Sequence, residues 1–219
     1  MKQIIRNTAD GSHTIYVPAL KEHYHSVNGA VIEAKHIFID AGFCFFNEKL
    51  IRILEIGFGT GLNAFLTCIE AINNNIETNY HSIEKYPLSL QMVSKLNYVN
   101  NYKSSERNLF YKMHISKWDN TIDIDKNFLF KKINADFTKY NIKEKYDIIY
   151  FDAFSPDVQA EMWTLDNFVK LYDCLNTNGL LVTYSAKGIV KQNLRSAGFT
   201  VKRLPGPPGK HHILRAIKE

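Results

Sequence analysis

Short apolar runs separated by turn residues fill the first part of the chain. Asp10-Gly11 divides residues 3–8 from residues 12–17, and an Asp-Gly step between two such runs is typical of a β-hairpin. The run VIEAKHIFI, at residues 31–39, alternates in part between apolar and polar positions. These patterns predict a small β-rich extension over residues 1–45.

From residue 46 onwards, apolar runs of strand length alternate with helical patterns. Strands are predicted at 51–57, 78–85, 131–137, 146–154 and 179–186, and helices at 61–72, 87–96, 161–176 and 187–197. A hairpin is predicted at about 121–132, whereas the pattern of residues 98–120 does not predict a particular element. The ending, FTVKRLPGPPGKHHILRAIKE, predicts two strands joined by a Pro/Gly turn.

Strands that alternate with helices predict a parallel sheet covered on both faces. The terminal hairpin would add an antiparallel edge to that sheet. Residues 46–219 are therefore predicted to form an α/β domain with a doubly wound, Rossmann-like, mostly parallel sheet. The length of 219 residues and a hydrophobic fraction of 45% suit one such domain with a small appendage.

Composition indicates the cellular compartment of the protein and whether it has membrane spans or a metal site. No 18-residue apolar run predicts a membrane span, and the start of the chain lacks the apolar stretch of a signal peptide. Cys44, Cys68 and Cys174 are scattered and follow no metal-binding spacing. We therefore expect a reduced, cytoplasmic protein with no metal site.

Positive charge is concentrated near the C-terminus. The formal net charge is +5, and residues 187–219 contain eight Lys or Arg and one acid, which is +7, so the first 186 residues carry −2. Such asymmetry indicates an anionic partner near the C-terminal segment, with a merely solvated surface as the alternative.

A glycine-rich motif, ILEIGFGTGLNAF, joins the first strand of the α/β domain to its first helix. Gly57, Gly59 and Gly61 follow a G-x-G-x-G spacing, which does not satisfy the dinucleotide fingerprint G-x-G-x-x-G. Glu55, just upstream, would repel a pyrophosphate but suits a cationic ligand. The alternative is a plain strand-to-helix turn. The motif resembles motif I of class I methyltransferases, which implies S-adenosyl-L-methionine as cofactor.

Acids also follow the next two predicted strands. Glu84 stands where an acid can accept both hydroxyls of a ribose, although pairing with Lys85 at the surface is the alternative. Asp136 can accept from an adenine amino group and Phe137 can stack on the ring, although Asp is also common in turns. The predicted cofactor-binding residues are Glu55, Gly57, Phe58, Gly59, Gly61, Asn63, Glu84, Lys85, Asp136 and Phe137.

A more specific resemblance extends along nearly the whole chain. The segments GFGTGLN, EKYPL (84–88), INADF (133–137), FDAFSP followed by EMWT, and GKHHIL are together similar to the methyltransferase domain of the bacterial MnmC family. Residues 24–38 resemble the entry segment of that family. The chain departs from the family pattern at Val158, Gln159 and Ala160. The family's FAD-dependent oxidoreductase domain does not follow, so we expect this chain to perform methyl transfer only.

The resemblance implies a class I methyltransferase that transfers a methyl group to the exocyclic amine of 5-aminomethyl-(2-thio)uridine at the tRNA wobble position. Asp152 ends the strand expected beside the first one and is the predicted catalytic residue, as acceptor of the amine. Phe154 and Trp163 are predicted to stack on the flipped-out base, with a core position as the alternative for Trp163. Pro156, in the same segment as Phe154, completes this part of the predicted substrate site.

A basic helix face is the predicted tRNA contact. Lys187, Lys191 and Arg195 recur at i, i+4 and i+8, opposite an apolar face, and could hold phosphates. Lys210, in the terminal turn, is assigned to the same substrate surface. A solvated helix face is the alternative.

Two other functions remain open at this stage. An aminopropyltransferase of the spermidine synthase type also has an Asp after this strand and binds an amine, although the basic C-terminal third argues against a polyamine. An inactive cofactor-binding partner of a separate FAD-dependent oxidoreductase is the second alternative. For the active enzyme, the predicted partners are tRNA and such an oxidoreductase.

Overall fold

A three-stranded antiparallel sheet forms the N-terminal part of the protein. A computed structural model describes residues 2–219. Strands β1 (Ile4–Asn7), β2 (His13–Val17) and β3 (Glu22–His23) pair in chain order. Asp10 closes the β1–β2 turn because its Oδ1 accepts the Ser12 backbone N–H at 3.0 Å. The hairpin predicted at Asp10-Gly11 is confirmed.

The strand pattern read in residues 31–39 is wrong. This segment is helical, with α1 at Ala30–Ala34 continuing as a π-helical turn at Lys35–Asp40 and followed by a 3₁₀ turn at Phe43–Phe45. Its buried apolar residues recur at helical spacing, at Ala30, Ala34, Ile37 and Phe38. Partial alternation over nine residues was too short to distinguish the two periods.

Eight strands form the main sheet. They are β4 (Leu50–Ile56), β5 (Glu77–Glu84), β6 (Thr121–Asp125), β7 (Phe128–Asn134), β8 (Tyr146–Phe151), β9 (Leu175–Thr183), β10 (Thr200–Pro205) and β11 (His212–Ile217). Their order across the sheet is β10-β11-β9-β8-β4-β5-β7-β6. The five central strands are parallel, and each edge ends in an antiparallel hairpin. The predicted doubly wound α/β fold is confirmed.

The helices that flank this sheet are α2 (Leu62–Asn74), α3 (Leu90–Val93), α4 (Ser104–Ile115), α5 (Leu165–Cys174) and α6 (Gly188–Ser196), with a 3₁₀ turn at Ala160–Trp163. The helix predicted at 87–96 is only the single turn α3. Helix α4 lies in the segment for which no element was predicted. Its buried residues are Phe110, Met113 and His114, too few to give a clear helical period.

The order of strands reverses between β4 and β8. From β4 the chain builds outward through β5 and β7, and then returns to add β8 on the other side. Ligands of open α/β sheets bind at the carboxyl ends of the strands beside such a switch point. No helix within residues 2–219 combines the length and apolarity that a bilayer crossing requires.

Candidate active site

A cavity of about 1050 Å³ opens at the carboxyl ends of β4, β5, β7 and β8. The main sheet and its loops form one side, and residues from the N-terminal extension form the other. The volume is at the upper end of the range for small-molecule sites. It can therefore receive a cofactor together with part of a second substrate.

Glycines allow the loop between β4 and α2 to pass close to Asp152. Gly57 has a φ of 97°, and a Cβ atom there would lie 2.5 Å from the Asp152 carbonyl oxygen. Gly61 has a φ of 72°, and a Cβ there would lie 2.7 Å from Nε2 of His114. Both positions need glycine for conformation and for space. Gly57, Phe58 and Gly59 line the cavity, whereas Gly61 only shapes the loop behind it.

Glu84 faces the cavity from the end of β5 and has room for a diol. Its Oε2 accepts the Gly59 N–H at 3.0 Å and its Oε1 accepts the Tyr86 N–H at 2.7 Å. An ionised carboxylate has about four lone-pair sites, so each oxygen keeps one for a further donor. Two ribose hydroxyls fit this arrangement.

Asp136 lies at the cavity beyond β7 and is held as a carboxylate. The backbone N–H and hydroxyl of Thr138 donate to Oδ1 at 3.0 and 2.7 Å, and Lys85 pairs with Oδ2 at 2.9 Å. The Thr138 hydroxyl and Lys85 together lower the pKa of Asp136 to about 2. Lys85 therefore pairs with Asp136 rather than with Glu84, which was the surface alternative.

The Phe137 ring belongs mainly to the core. It is 3% exposed, packs against Phe151, and has Nζ of Lys170 4.0 Å from its centroid. The residue nevertheless lines the cavity. Stacking of Phe137 on an adenine therefore stays a prediction.

Glu55 does not face the cavity, contrary to its expected role toward a cationic ligand. It is fully buried in β4, and Oε2 accepts the Ser82 hydroxyl at 2.6 Å. Burial, and to a smaller extent the nearby Asp152 charge, raises the pKa of Glu55 to about 8. A carboxyl group in this position is neutral at pH 7 and has no open path to a ligand.

Asp152 lines the cavity directly after β8. Its backbone N–H donates to the Ile56 carbonyl at 3.0 Å, which fixes it beside the glycine loop, and Oδ2 accepts Nδ2 of Asn63 at 2.8 Å. Burial raises the pKa of Asp152 to about 7, partly offset by the Asn63 hydrogen bond. Asp152 can therefore take up or release a proton near neutral pH.

An ion pair joins the two ends of the chain next to Asp152. Nζ of Lys210 lies 3.1 Å from Oε1 of Glu33, and 4.9 Å from the centroid of the Tyr184 ring. The Glu33 charge raises the pKa of Asp152 and the Lys210 charge lowers it. Lys210 therefore lines the cavity as predicted, but Glu33 was not expected there.

The N-terminal extension contributes several residues that sequence reasoning missed. Tyr24 packs edge-on against Phe154, with ring centroids 5.1 Å apart, and Glu22 accepts the Ser155 hydroxyl at 2.8 Å. Nε2 of His25 lies 2.8 Å from Oγ1 of Thr60, and burial lowers the pKa of His25 to about 4, so it is neutral. The similarity of residues 24–38 to a family segment was the one signal that could have identified this wall.

The turn after β8 places Phe154 in the cavity but turns Trp163 away from it. Trp163 is 3% exposed, packs on Phe151 and donates from Nε1 to the Phe154 carbonyl at 2.8 Å. Its predicted stacking on a base is therefore wrong, and the core alternative is right. Pro156 also lies outside the lining, whereas Val158 and Gln159, at the break in the family pattern, belong to it.

The basic face of α6 lies outside the cavity. Val190 and Leu194 are fully buried on the opposite face, so the amphipathic pattern of this helix is confirmed. Lys187 pairs with Asp157, and Lys191 and Arg195 make no salt bridge within residues 2–219. These three cations can act only outside the cavity.

A comparison with protein families finds one match over more than half of the chain. A family model described as S-adenosyl-L-methionine-dependent methyltransferase matches residues 95–219.

Matches to curated proteins cover more of the chain than the family model does. A Campylobacter fetus protein named tRNA 5-methylaminomethyl-2-thiouridine biosynthesis bifunctional protein MnmC is 28% identical over 94% of this chain and 34% of its own length. A Leptospira borgpetersenii protein of the same name is 28% identical over 87% of this chain and 31% of its own length. This chain thus spans about a third of the length of these relatives.

Solved structures show the same architecture. MNMC2 from Aquifex aeolicus superimposes with a TM-score of 0.79 at 26% identity, over 98% of this chain and 69% of that one. Spermidine synthase from Thermotoga maritima superimposes with a TM-score of 0.56 at 13% identity, over 100% of this chain and 72% of that one, which shows the fold alone.

Proposed function

The chain belongs to the S-adenosyl-L-methionine-dependent methyltransferase family whose model matches residues 95–219, and we propose that it methylates the exocyclic amine of 5-aminomethyl-(2-thio)uridine at the tRNA wobble position. The observation that carries this proposal is the position of Asp152. A half-buried carboxyl group with a pKa of about 7 stands at the switch point, inside a cavity large enough for cofactor and base.

The cavity offers a set of groups that suits the cofactor. Glu84 would accept from the ribose, Asp136 from the adenine amino group, and the Gly57–Gly59 backbone would leave room beside them. When bound, S-adenosyl-L-methionine supplies an electrophilic methyl group on a sulfonium. Glu55, buried behind this loop, is not part of the proposed contact set.

Asp152 would bind the amine and remove its surplus proton. An alkylamine has a pKa of roughly 10 by analogy with lysine, so it arrives protonated and has no free lone pair. The ionised Asp152 carboxylate attracts this ammonium group, accepts its hydrogen bond and takes or relays the proton. The nitrogen lone pair is then free to attack the methyl carbon, and holding the two in line contributes as much as basicity.

The surroundings of Asp152 support a nucleotide as the second substrate. The Phe154 side chain lies at the cavity and is only partly buried, so it offers an aromatic surface to a base. Lys210 places a cation beside the acids, and Lys191 and Arg195 extend positive charge over α6. The names of the Campylobacter and Leptospira relatives refer to tRNA 5-methylaminomethyl-2-thiouridine biosynthesis, which agrees with this proposal.

An aminopropyltransferase is the second candidate, and two acids favour it. Glu22 and Glu33 join Asp152 at the cavity, and clustered carboxylates suit a polyamine. Against it, Glu33 is already paired with Lys210, and a cation beside Asp152 would repel a second ammonium group.

We further propose a cytoplasmic location and a functional partner. Cytoplasm is where tRNA is modified, and Cys44, Cys68 and Cys174 are free thiols. An FAD-dependent oxidoreductase that produces the primary amine on uridine would supply the substrate.

Incubation with methyl-labelled S-adenosyl-L-methionine and tRNA from a strain lacking this gene tests the proposal. After digestion to nucleosides, label is expected on 5-methylaminomethyl-(2-thio)uridine. Parallel reactions contain putrescine and decarboxylated S-adenosyl-L-methionine. An aminopropylated polyamine, or tRNA without any labelled nucleoside, would overturn it.

A further inference from the structure

A layer of buried polar groups lies under the first turn of α2, directly behind Asp152. Glu55 is adjacent to Ser82 on β5 and to Tyr150 on β8, and Tyr80 lies on the same face of the sheet. Asn63 covers this group from α2. Each of these side chains is 3% exposed or less. Polar groups at such depth are costly unless they are hydrogen-bonded.

Three atoms of this layer have no partner. They are Oε1 of Glu55, Oδ1 of Asn63 and the hydroxyl oxygen of Tyr80, and all are buried. Asn63 and Tyr80 lie near Glu55 and, as hydrogen-bonding groups, lower its pKa by less than burial raises it. Oε1 of Glu55 and Oδ1 of Asn63 are both acceptors, so they can pair with each other only through a proton on Glu55.

A protonated Glu55 satisfies its own Oε1 and Oδ1 of Asn63 at once, because its O–H can donate to the amide oxygen. Ser82 continues to donate to Oε2 at 2.6 Å, and Nδ2 of Asn63 continues to donate to Asp152 at 2.8 Å. An ionised Glu55 has no proton to give, so Oδ1 of Asn63 would stay unpaired.

We propose that Glu55 is a positioning residue, held as the neutral carboxylic acid, which donates a hydrogen bond to Oδ1 of Asn63 and thereby turns the Asn63 amide nitrogen toward Asp152. Glu55 thus fixes which end of the Asn63 amide meets Asp152. With its acceptor end occupied by Glu55, Asn63 can only donate to Asp152. A donor stabilises the ionised form of Asp152, which is the form that accepts an ammonium group.

The competing arrangement has the opposite polarity. In it, Glu55 would be ionised and would accept a hydrogen bond from Nδ2 of Asn63. A neutral Asp152 would then donate a hydrogen bond to Oδ1 of Asn63. This places the negative charge on the fully buried group instead of the one that borders the cavity and feels the Lys210 charge. The desolvation cost therefore favours the neutral Glu55.

The charges around Glu55 agree with this polarity. The groups that face it are Tyr80 and Ser82 from β5, Tyr150 and Asp152 from β8, and Asn63 and Thr67 from α2. Burial raises the pKa of both tyrosines, so Asp152, with a pKa of about 7, is the one other member of this set that ionises near neutral pH. The pKa of Glu55, about 8, is consistent with a neutral acid at that pH.

Infrared spectroscopy of the unmodified enzyme tests the protonation state directly. The difference between the wild type and Glu55→Gln at pH 7 is expected to contain the carbonyl stretch of a protonated carboxylic acid, which disappears in the variant. A lost carboxylate band in its place would show an ionised Glu55 and overturn the proposal. This measurement requires no tRNA, so it remains decisive even if the proposed substrate is wrong.

A pair of variants separates positioning from charge. Gln at position 55 keeps a donor for Asn63 and an acceptor for Ser82, whereas Met has a similar size and offers neither. Glu55→Met is expected to lower kcat by about tenfold or more, because Asn63 loses its orientation. Glu55→Gln is expected to rescue kcat to within about threefold of the wild type.

Cofactor affinity is the control, measured by calorimetry with S-adenosyl-L-methionine. Both variants are expected to keep the Kd within about twofold of the wild-type value. A tenfold weaker Kd for Glu55→Gln would mean that Glu55 attracts the cofactor as an anion, and equal loss of kcat in both variants would mean that the charge itself matters. Unchanged kcat in both variants would remove the positioning role. The kcat comparison rests on the proposed tRNA activity, whereas the infrared and Kd measurements do not. If Glu55→Met fails to fold, those two measurements on Glu55→Gln still decide the proposal.

Discussion

At the scale of single residues, burial sets the chemistry of Asp152. The carboxyl group accepts one hydrogen bond from Asn63, yet its pKa rises to about 7 because desolvation outweighs that bond. A carboxylate with an ordinary pKa would attract an ammonium group equally well but would be a far weaker base. Position and basicity thus arise from the same buried environment.

Asp152→Asn is predicted to lower kcat by at least about 100-fold, because an amide cannot take the proton of the amine. In the wild type, kcat/KM should fall below a pH of about 7, since the functional form is the ionised one and burial raises the pKa of Asp152 to that value. The variant should show no such acid limb. Rates between pH 5.5 and 8.5, with the Kd for S-adenosyl-L-methionine as control, check both statements. Near-wild-type turnover at an intact Kd would contradict the assignment.

Gly57→Ala is predicted to cost more stability than Gly11→Ala. Both glycines have positive φ, 97° and 80°, but a Cβ at Gly57 meets the Asp152 carbonyl oxygen at 2.5 Å whereas a Cβ at Gly11 meets nothing within 4 Å. The Gly11 variant should lose about 1 kcal/mol of unfolding free energy from strain alone. The Gly57 variant should lose more and also about tenfold or more in kcat, because Asp152 must move. Urea unfolding measures the stability and steady-state rates measure kcat. If both variants lost the same stability and kept kcat, the close approach of residue 57 to the Asp152 carbonyl would be unimportant.

At the scale of elements, the N-terminal extension is part of the active site. Glu33, at α1, pairs with Lys210 in the turn between β10 and β11, so the two ends of the chain meet beside Asp152. Tyr24 and Glu22 complete the same wall. The extension therefore forms one wall of the cavity, and the sheet with its loops forms the other.

Lys210→Met and Glu33→Gln are predicted to shift the acid limb of kcat/KM in opposite directions. The Lys210 charge lowers the pKa of Asp152, so its removal should move the limb to higher pH, and loss of the Glu33 charge should move it to lower pH. Exposed Lys49, which precedes β4 at the amino ends of the parallel strands, provides the control Lys49→Met. If the acid limb of kcat/KM stayed at the same pH in both variants, or moved in the same direction in both, the ion pair would only stabilise the fold.

The parallel core could be predicted from sequence because buried strands give apolar runs. YDIIYF and GLLVT are such runs, and the acids Glu84, Asp136 and Asp152 lie at the ends of their strands or within two residues after them. Residues 31–39 could not be assigned, because their short helix shows a mixed period. The wall built by Tyr24 and Glu33 depends on contacts between distant segments, which no local pattern contains.

The wrong expectations for individual residues share one cause. Glu55 and Trp163 were assigned to ligands by residue type and position along the chain, but each is buried and lies outside the cavity lining. Depth within a fold depends on what packs over a residue. Sequence therefore located the correct loops but not which side chains of those loops reach the cavity.

At the scale of the whole molecule, positive charge is concentrated in the last 33 residues of the chain. Residues 187–219 carry +7 against −2 for the rest, and they include α6 and the turn with Lys210. Lys191 and Arg195 lie on the unburied side of α6. This distribution suits a large polyanion better than a small cation.

The double substitution Lys191→Gln, Arg195→Gln is predicted to weaken tRNA binding and to reduce its salt dependence. Loss of two phosphate contacts should reduce the slope of log K against log salt by about 1.5. The control is Lys49→Gln, Lys126→Gln, which removes the same charge from exposed positions near the amino ends of β4 and β5. Equal effects of the two pairs would indicate a response to net charge, without a binding face on α6.

Methylation of a defined anticodon stem–loop tests the central claim most directly. One RNA carries 5-aminomethyl-uridine at the wobble position and a matched RNA carries plain uridine, each with wild-type enzyme or Asp152→Asn and labelled S-adenosyl-L-methionine. We predict that the wild type places one methyl group on the amine of the first RNA and none on the second, and that Asp152→Asn is at least about 100-fold slower. Methylation of the plain uridine RNA, or of neither RNA, would contradict the account.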